Sequence, residues 1–206
     1  MDSIKTKVKI VNNPSSIRNI SEKLYSVYFS KFMPDTIFSQ DIDYIKKFFL
    51  KNKKIIMKPI HGYGGNEIHL IEKKFNKTLV EKFIKKHGHV MFQKFLANIK
   101  HGDKRVFLIN GKICGAISRV PKKGSFLSNM SKGAVPTLTK LTKKEIKISK
   151  LIADKLKKND IYFAGIDFID QKLNGDINVT SPTGLKTYYD LSKINLAKVF
   201  WKGLKA

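Results

Sequence analysis

Residues 55–68 read IIMKPIHGYGGNEI, an apolar run broken by one lysine, Lys58, and followed by glycines at 62, 64 and 65. IIMKP has the apolar, β-branched character of a strand, and EIHLIE beyond the glycines reads as a second, so the stretch predicts a hairpin with a glycine-rich turn. Glycines cost backbone entropy that an ordinary hairpin would not demand. What Gly62, Gly64 and Gly65 permit is close approach of backbone amides to an anion. Lys58, the single charge in an apolar strand, is then either an edge residue or one facing a ligand. GxGG alone is a weak signal, because it has neither the lysine nor the spacing of a Walker loop or a dinucleotide fingerprint.

Upstream, KVKIVNNP (7–14) alternates like a strand and stops at Asn13 and Pro14. Ser15 or Ser16 is expected to cap a helix with Ile17, Ile20, Leu24 and Val27 or Tyr28 at helical spacing. The strand TIFS then leads to a helix over 41–51 with Ile42, Ile45 and Phe49 on one face. Downstream of the hairpin a helix is predicted over 78–86. VMFQKFL, RVFLING and KICGAISRV follow as an antiparallel meander, the last two strands joined by a turn at Asn110 and Gly111. The stretch 121–140, PKKGSFLSNMSKGAVPTLTK, has little periodicity and exceeds the roughly 12–15 residues usual for a connection, which marks it as a mobile lid. Thr142 and Glu145 form a capping box ahead of a helix burying Ile146, Ser149, Ile152, Ala153 and Leu156. IYFAGIDFID and DINVT read as two strands joined through Asn174 and Gly175, and a last helix carries Leu191, Ile194, Ala197 and Trp201. The fold class is α+β, with largely antiparallel sheets.

The 206 residues, 42% of them hydrophobic, suffice for one sizeable domain or two small ones. No run approaches the roughly 18 apolar residues of a membrane span, and the first residues lack the apolar core of a signal peptide, so the cytoplasm is the expected compartment and a membrane is not an expected partner. The single cysteine, Cys114, sits in an apolar run and reads as a small buried residue. A net charge of +25 raises nucleic acid as a partner. Against that, only Arg18, Arg105 and Arg119 among 41 basic residues are arginine, and the lysines are scattered through every segment. Phosphate-reading surfaces concentrate charge and use arginine's fork, so the charge reads as a compositional bias and nucleic acid is not expected. In a chain that writes lysine almost everywhere, Arg105 and Arg119 mark geometry that lysine cannot supply.

Asp167 lies between apolar neighbours in AGIDFID, while Asp176 and Asn178, two apart in a strand, share one face. If those strands pair, three oxygen-bearing side chains converge in a set that suits Mg²⁺, which is held by one or two carboxylates plus substrate phosphates. Ordinary turn residues and one inward polar exception would look the same. With the lysine, the glycines, two isolated arginines and a lid, the pattern describes a site for a metal-bound polyphosphate.

These residues also carry a family resemblance. KPIHGYGGNEI, VMFQKFLANIKHGDKRVFLINGK, ISRVP and above all DINVTSPTG (176–184) resemble the bacterial glutathione synthetases of the ATP-grasp superfamily, and the likeness extends over NNPSSIRNISEKLYSVYFS and LTKKEIKISKLIADKLKKNDIYFAGIDFI, from about Val8 onward. The resemblance implies two α+β subdomains clamping ATP: a small ATP-binding one at about 14–97 and a larger one at about 98–206 with the metal site and the lid, 121–140. It implies a ligase that uses ATP and Mg²⁺ (or Mn²⁺) to phosphorylate the cysteinyl carboxylate of γ-glutamylcysteine, which glycine's amine then attacks. Lys23 and Lys58 match the phosphate lysines, Gly62, Tyr63, Gly64 and Gly65 the phosphate-covering loop, and Gln93 and Leu96 the adenine-holding segment. Arg105, Arg119 and Asn129 match catalytic positions, and Asp167, Asp176 and Asn178 the metal ligands.

Three departures accompany the likeness. Aspartate stands at 176 where the family usually has glutamate, with a connection from Asp167 that is one residue longer. The lid offers Leu127, Val135 and KGA, with Asn129 and Lys132, where the family carries arginine and paired glycine. The family also has an α/β domain ahead of this region, which contributes to peptide binding and to the subunit interface. The chain is therefore expected to be a fragment of a longer or split product, or a nucleotide-binding half working with a partner domain or a second copy.

Overall fold

The computed structural model describes residues 8–62 and 64–205. Helix α1 (Pro14–Asn19) begins where the Asn13 side chain accepts from the amides of Ser15 and Ser16, with Pro14 at the first helical position. The cap is thus Asn13 rather than either serine. The helix stops before Ile20, and the chain resumes as 3₁₀ turns over Leu24–Phe32. Of the strand expected over 7–14, Lys7 lies outside the described residues and the rest is not a strand. Asn12 pairs through its side chain instead: its Oδ1 accepts from the amides of Tyr162 and Phe163 at 2.8 Å, and its Nδ2 donates to the carbonyls of Phe163 and Val179 at 2.7 and 2.8 Å.

Two sheets follow, antiparallel in every recorded pairing. The first has the order β1-β4-β2-β3, from β1 (Thr36–Ser39), β2 (Ile55–Pro59), β3 (His69–Ile71) and β4 (Val90–Lys94). Helix α2 (Ile42–Asn52), capped by Asp41, and helix α3 (Lys77–His87), capped by Asn76, lie against it. Ile45, Phe49, Val80, Phe83 and Phe92 fill the space between, each buried side chain contributing about 1.5–3 kcal/mol. The expected hairpin across the glycines is present, as β2 and β3. The expected meander is not, because β4 inserts between β1 and β2 and leaves the next two strands to the second sheet.

That second sheet has the order β7-β6-β5-β8-β9, from β5 (Asp103–Ile109), β6 (Lys112–Val120), β7 (Val135–Leu138), β8 (Phe163–Ile169) and β9 (Lys172–Asn178). Val106, Leu108, Ile166 and Phe168 face helix α4 (Lys143–Lys157) and the 3₁₀ turns, in one core with Ile20, Phe29 and Met33. Residues 17–33 therefore pack on the second sheet, not with the first as a division at residue 97 expects. Phe107, Ile109 and Ile117 face the other way, onto helices α5 (Leu185–Ser192) and α6 (Leu196–Lys205). The single C-terminal helix expected from the periodicity is two helices, and Ile194 and Trp201 are exposed. On α4 the Thr142–Glu145 capping box forms as expected, but Ile146 points outward and Ile148 and Glu145 are buried in its place. Part of the expected lid, Val135–Leu138, is held as the edge strand β7.

Candidate functional site

Sheet register decides which side chains meet. The β5–β6 hairpin starts with Ile109 opposite Lys112 and Leu108 opposite Ile113, then slips one residue so that Phe107 faces Gly115. The extra residue, Cys114, is a bulge. Because of it Arg119 lies directly opposite Asp103 rather than Gly102, on the face that also carries Arg105. Arg105 in turn lies opposite Asp167 on β8. Two arginines and two aspartates thus alternate across three strands as direct cross-strand pairs.

All four are buried, with 1% to 6% of their surface exposed. Arg105 grips Asp167 through Nε and Nη2, the latter at 2.8 Å to Oδ2. Arg119 grips Asp103 through Nε at 2.8 Å and through Nη2, which also reaches Asp167 Oδ2 at 3.1 Å. Burial pushes the Asp167 carboxyl up, but the guanidiniums of Arg105 and Arg119 together outweigh it and hold it well below the usual carboxylate range. For Asp103 burial wins: only Arg119 and the Ser128 hydroxyl oppose it, the Asp167 charge adds to it, and the carboxyl is raised.

A pH dependence follows, with its sign fixed by the depressed group. Asp167 stabilises the fold fully above its unfolded pKa of about 3.9, and that stabilisation is lost as pH falls through its lower folded value. Melting midpoints of the metal-free chain are expected to drop more steeply below about pH 4 than those of Asp167→Asn, which lacks the titrating group.

The second bulge is on β9. The β8–β9 turn is Asp170–Gln171, both at positive φ (50° and 59°), and not the Asn174–Gly175 pair expected from the sequence. Asn174, Gly175 and Asp176 instead lie together opposite Asp167, between the pairs Phe168–Leu173 and Ile166–Ile177. Gly175 has φ 83°, and a Cβ there would sit 2.5 Å from Met91 Cε, so the bulge needs glycine. The turn-forming pair serves to aim Asn174 and Asp176 across the gap between the sheets.

Lys58 meets them. Its buried Nζ donates to Asn174 O at 3.1 Å, Asn174 Oδ1 at 3.3 Å and Gln93 Oε1 at 3.3 Å, and lies 3.6 Å from Asp176. Burial pushes the Lys58 ammonium down, with Asp176 opposing. Lys23 donates to Gly62 O at 2.6 Å and pairs with Asp176 at 3.3 Å. Gln93 Nε2 donates to Thr36 Oγ1 at 3.0 Å. Asn178 Nδ2 donates to Gly165 O.

The glycine loop and the lid close the top. Gly64 and Gly65 have φ of 66° and 72°, and a Cβ on Gly65 would lie 2.2 Å from Asn129 Oδ1 in the lid. Tyr63 lies outside the described residues. Phe126 of the lid packs edge-on against Phe95, with ring centroids 6.2 Å apart.

One cleft, about 930 Å³ with its open mouth, is lined from both sheets by Lys23, Lys58, Gly62, Gly64, Gly65, Gln93, Leu96, Arg105, Arg119, Asn129, Asp167, Asp176 and Asn178. Every described residue matched above to the family's nucleotide, catalytic and metal positions lines it. A more open hollow adjoins it, sharing Arg105, Arg119 and Asn178 and adding Ser181 and Thr183. Sequence reasoning missed Asp103, Glu22 and Asn174, which also line the cleft. The two-residue spacing of Asp103 and Arg105 in a strand was the available signal for the first.

The model of the prokaryotic glutathione synthetase ATP-grasp domain matches residues 22–193. The chain belongs to this family. It is 36% identical to the glutathione synthetase of Rhodopseudomonas palustris over 209 residues, covering all of this chain and 66% of the relative. With the Synechocystis glutathione synthetase it shares 36% identity over 198 residues, 94% of this chain and 61% of the relative. The chain thus spans about two thirds of the length of these glutathione synthetases. Among solved structures, the ATP-grasp ligase PsnB with a precursor variant, Mg and ADP superposes with a TM-score of 0.72 at 15% identity, over 96% of this chain and 61% of that one. D-alanyl-alanine synthetase A from Vibrio cholerae gives 0.60 at 15%, over 82% and 58%. The two sheets facing one cleft are an ATP-grasp fold.

Proposed function

We propose that the chain carries the nucleotide-binding and phosphoryl-transfer part of an ATP-dependent carboxylate–amine ligase of the glutathione synthetase type, which joins γ-glutamylcysteine to glycine and releases ADP and phosphate. The observation that carries this is the cleft in which Lys58, Gln93 and the glycine loop on the first sheet's side meet Lys23, Arg105, Arg119, Asp167, Asp176 and Asn178 on the second's.

A carboxylate is a poor electrophile, and transfer of a phosphoryl group gives it a leaving group. Lys58 and Lys23 offset phosphate charge inside a cleft shielded from water, where such charges act strongly. Backbone amides of Gly62, Gly64 and Gly65 cover the phosphates, and Gln93 with the Leu96 backbone holds the base. Arg119 and Arg105, fixed by Asp103 and Asp167, present their remaining N–H groups towards the acyl phosphate and the substrate carboxylate, and Asn129 closes over them. The donor set Asp167, Asp176 and Asn178 is all oxygen and opens onto the cleft, which fits Mg²⁺ or Mn²⁺; when bound, the ion neutralises and orients the phosphates. The cytoplasm is the compartment in this proposal, and peptide binding draws on further residues from a partner domain or a second copy.

The test is ADP release by the chain with ATP, Mg²⁺, γ-glutamylcysteine and glycine. Release that stops when either γ-glutamylcysteine or glycine is omitted supports the proposal. Release indifferent to both, or no binding of ATP by the chain, counts against it.

A further inference from the structure

Glu22 stands beside the phosphate lysine Lys23, yet nothing in the function so far uses it. Its backbone carbonyl accepts from Ile177 N at 3.0 Å, and its Oε1 accepts from the amides of Val179 and Thr180, both at 3.1 Å. Among the described residues β9 is an edge strand, paired only with β8, and its pairing ends at Asn178. Beyond that point no strand of the described residues fixes the backbone. One residue therefore accepts three hydrogen bonds along 177–180, two of them on Oε1, where a further strand would otherwise have to run. On the far side of Val179, its carbonyl accepts from Asn12 Nδ2 at 2.8 Å, so this peptide is clamped from both directions.

What the clamp holds is the part of β9 that projects Asp176 and Asn178 into the cleft. The bulge at 174–176 interrupts the register on the β8 side, which resumes for two residues only, Ile177 opposite Ile166 and Asn178 opposite Gly165. Glu22 is half-buried and lines the cleft and the adjoining hollow, so its oxygen acts where water is partly excluded and a hydrogen bond to a carboxylate is strong. Lys23 completes the arrangement by tying Asp176 to Gly62 O. Residues 22 and 23 thus link β9 to the glycine loop.

We infer that Glu22 is a positioning residue: through Oε1 it fixes the 177–180 backbone and with it the aim of Asp176 and Asn178 at the metal and phosphates. This rests on the proposed Mg·ATP site, and the experiment separates the two. Amide hydrogen exchange is followed at Val179 and Thr180 in the nucleotide-free, metal-free chain, and the Mg²⁺ dependence of ATP binding is measured by calorimetry. Glu22→Ala is expected to speed exchange at both amides about tenfold or more and to raise the Mg²⁺ concentration at half-saturation by a similar factor, with ATP affinity at saturating Mg²⁺ within about threefold of wild type. Glu22→Gln, which keeps an oxygen acceptor without the charge, is expected to restore both readouts to within about threefold.

Unchanged exchange in Glu22→Ala overturns the positioning role, whatever the nucleotide does. Equal loss in Glu22→Gln also overturns it, since charge and not the acceptor would then matter. If the wild-type chain shows protected Val179 and Thr180 amides but binds no nucleotide, the proposed site fails while the clamp stands. Should Glu22→Ala not fold, Glu22→Gln and Glu22→Asp carry the comparison, Asp being one methylene short and expected to behave as the loss.

Discussion

Lys58→Ala is expected to weaken Mg·ATP binding by about 10- to 100-fold, the cost of losing one buried cation's bonds to phosphate. Lys58 Nζ is held by Asn174 O and Oδ1, Gln93 Oε1 and Asp176, which come from both sheets. Its ammonium already carries a burial penalty, seen in its lowered pKa. Removing it therefore relieves a cost while breaking modest bonds, and Asp176 keeps Lys23 as a partner. The melting midpoint should stay within a few degrees of wild type while nucleotide affinity collapses. Lys58→Met, which keeps the volume, should match the alanine variant in affinity. A loss of affinity that tracks loss of stability would show that Lys58 serves the fold and not the ligand.

The second large effect runs the other way. Asp167→Asn removes the anion shared by Arg105 and Arg119, both buried, and leaves two guanidiniums with one carboxylate, Asp103. Breaking a buried pair on one side costs about 3–5 kcal/mol, or about 6–20 °C in melting midpoint for a chain of this size. That loss should appear without metal or nucleotide. A variant that melts like wild type when metal-free and differs only once Mg·ATP is added would make Asp167 a ligand with no part in holding the sheet.

What could be read from residues alone was set by locality. Helix α2, the Thr142–Glu145 box and the β2–β3 hairpin depend on neighbours within a few positions, and they stand where spacing put them. The Asn174–Gly175 pair carries the composition of a tight turn, but two residues at positive φ four positions earlier, Asp170 and Gln171, make the turn, and Gly175 goes into a bulge against Met91. Nothing local distinguishes those outcomes, since the deciding contact comes from the other sheet. The insertion of β4 between β1 and β2, which undid the expected meander, is likewise a long-range pairing.

The site shows the same division. Arg105 and Arg119 stood out because arginine is scarce, but their partners depend on the one-residue slip at Cys114, which no pattern in KICGAIS announces. Gln93 and Leu96 were reached only through the family resemblance: a polar side chain in an apolar strand looks the same whether it faces a base or a threonine. Asn12 was read as the end of a strand because its neighbours alternate, and its side chain does the pairing instead.

The central claim is that the cleft between the sheets binds Mg·ATP through Lys58 and the groups around it. Calorimetric titration of Mg·ATP into the wild-type chain and into Lys58→Ala tests it most directly. One nucleotide per wild-type chain, with affinity falling about 10- to 100-fold in the variant, is the predicted result. No binding by the wild-type chain, or equal affinity in the two, would contradict it.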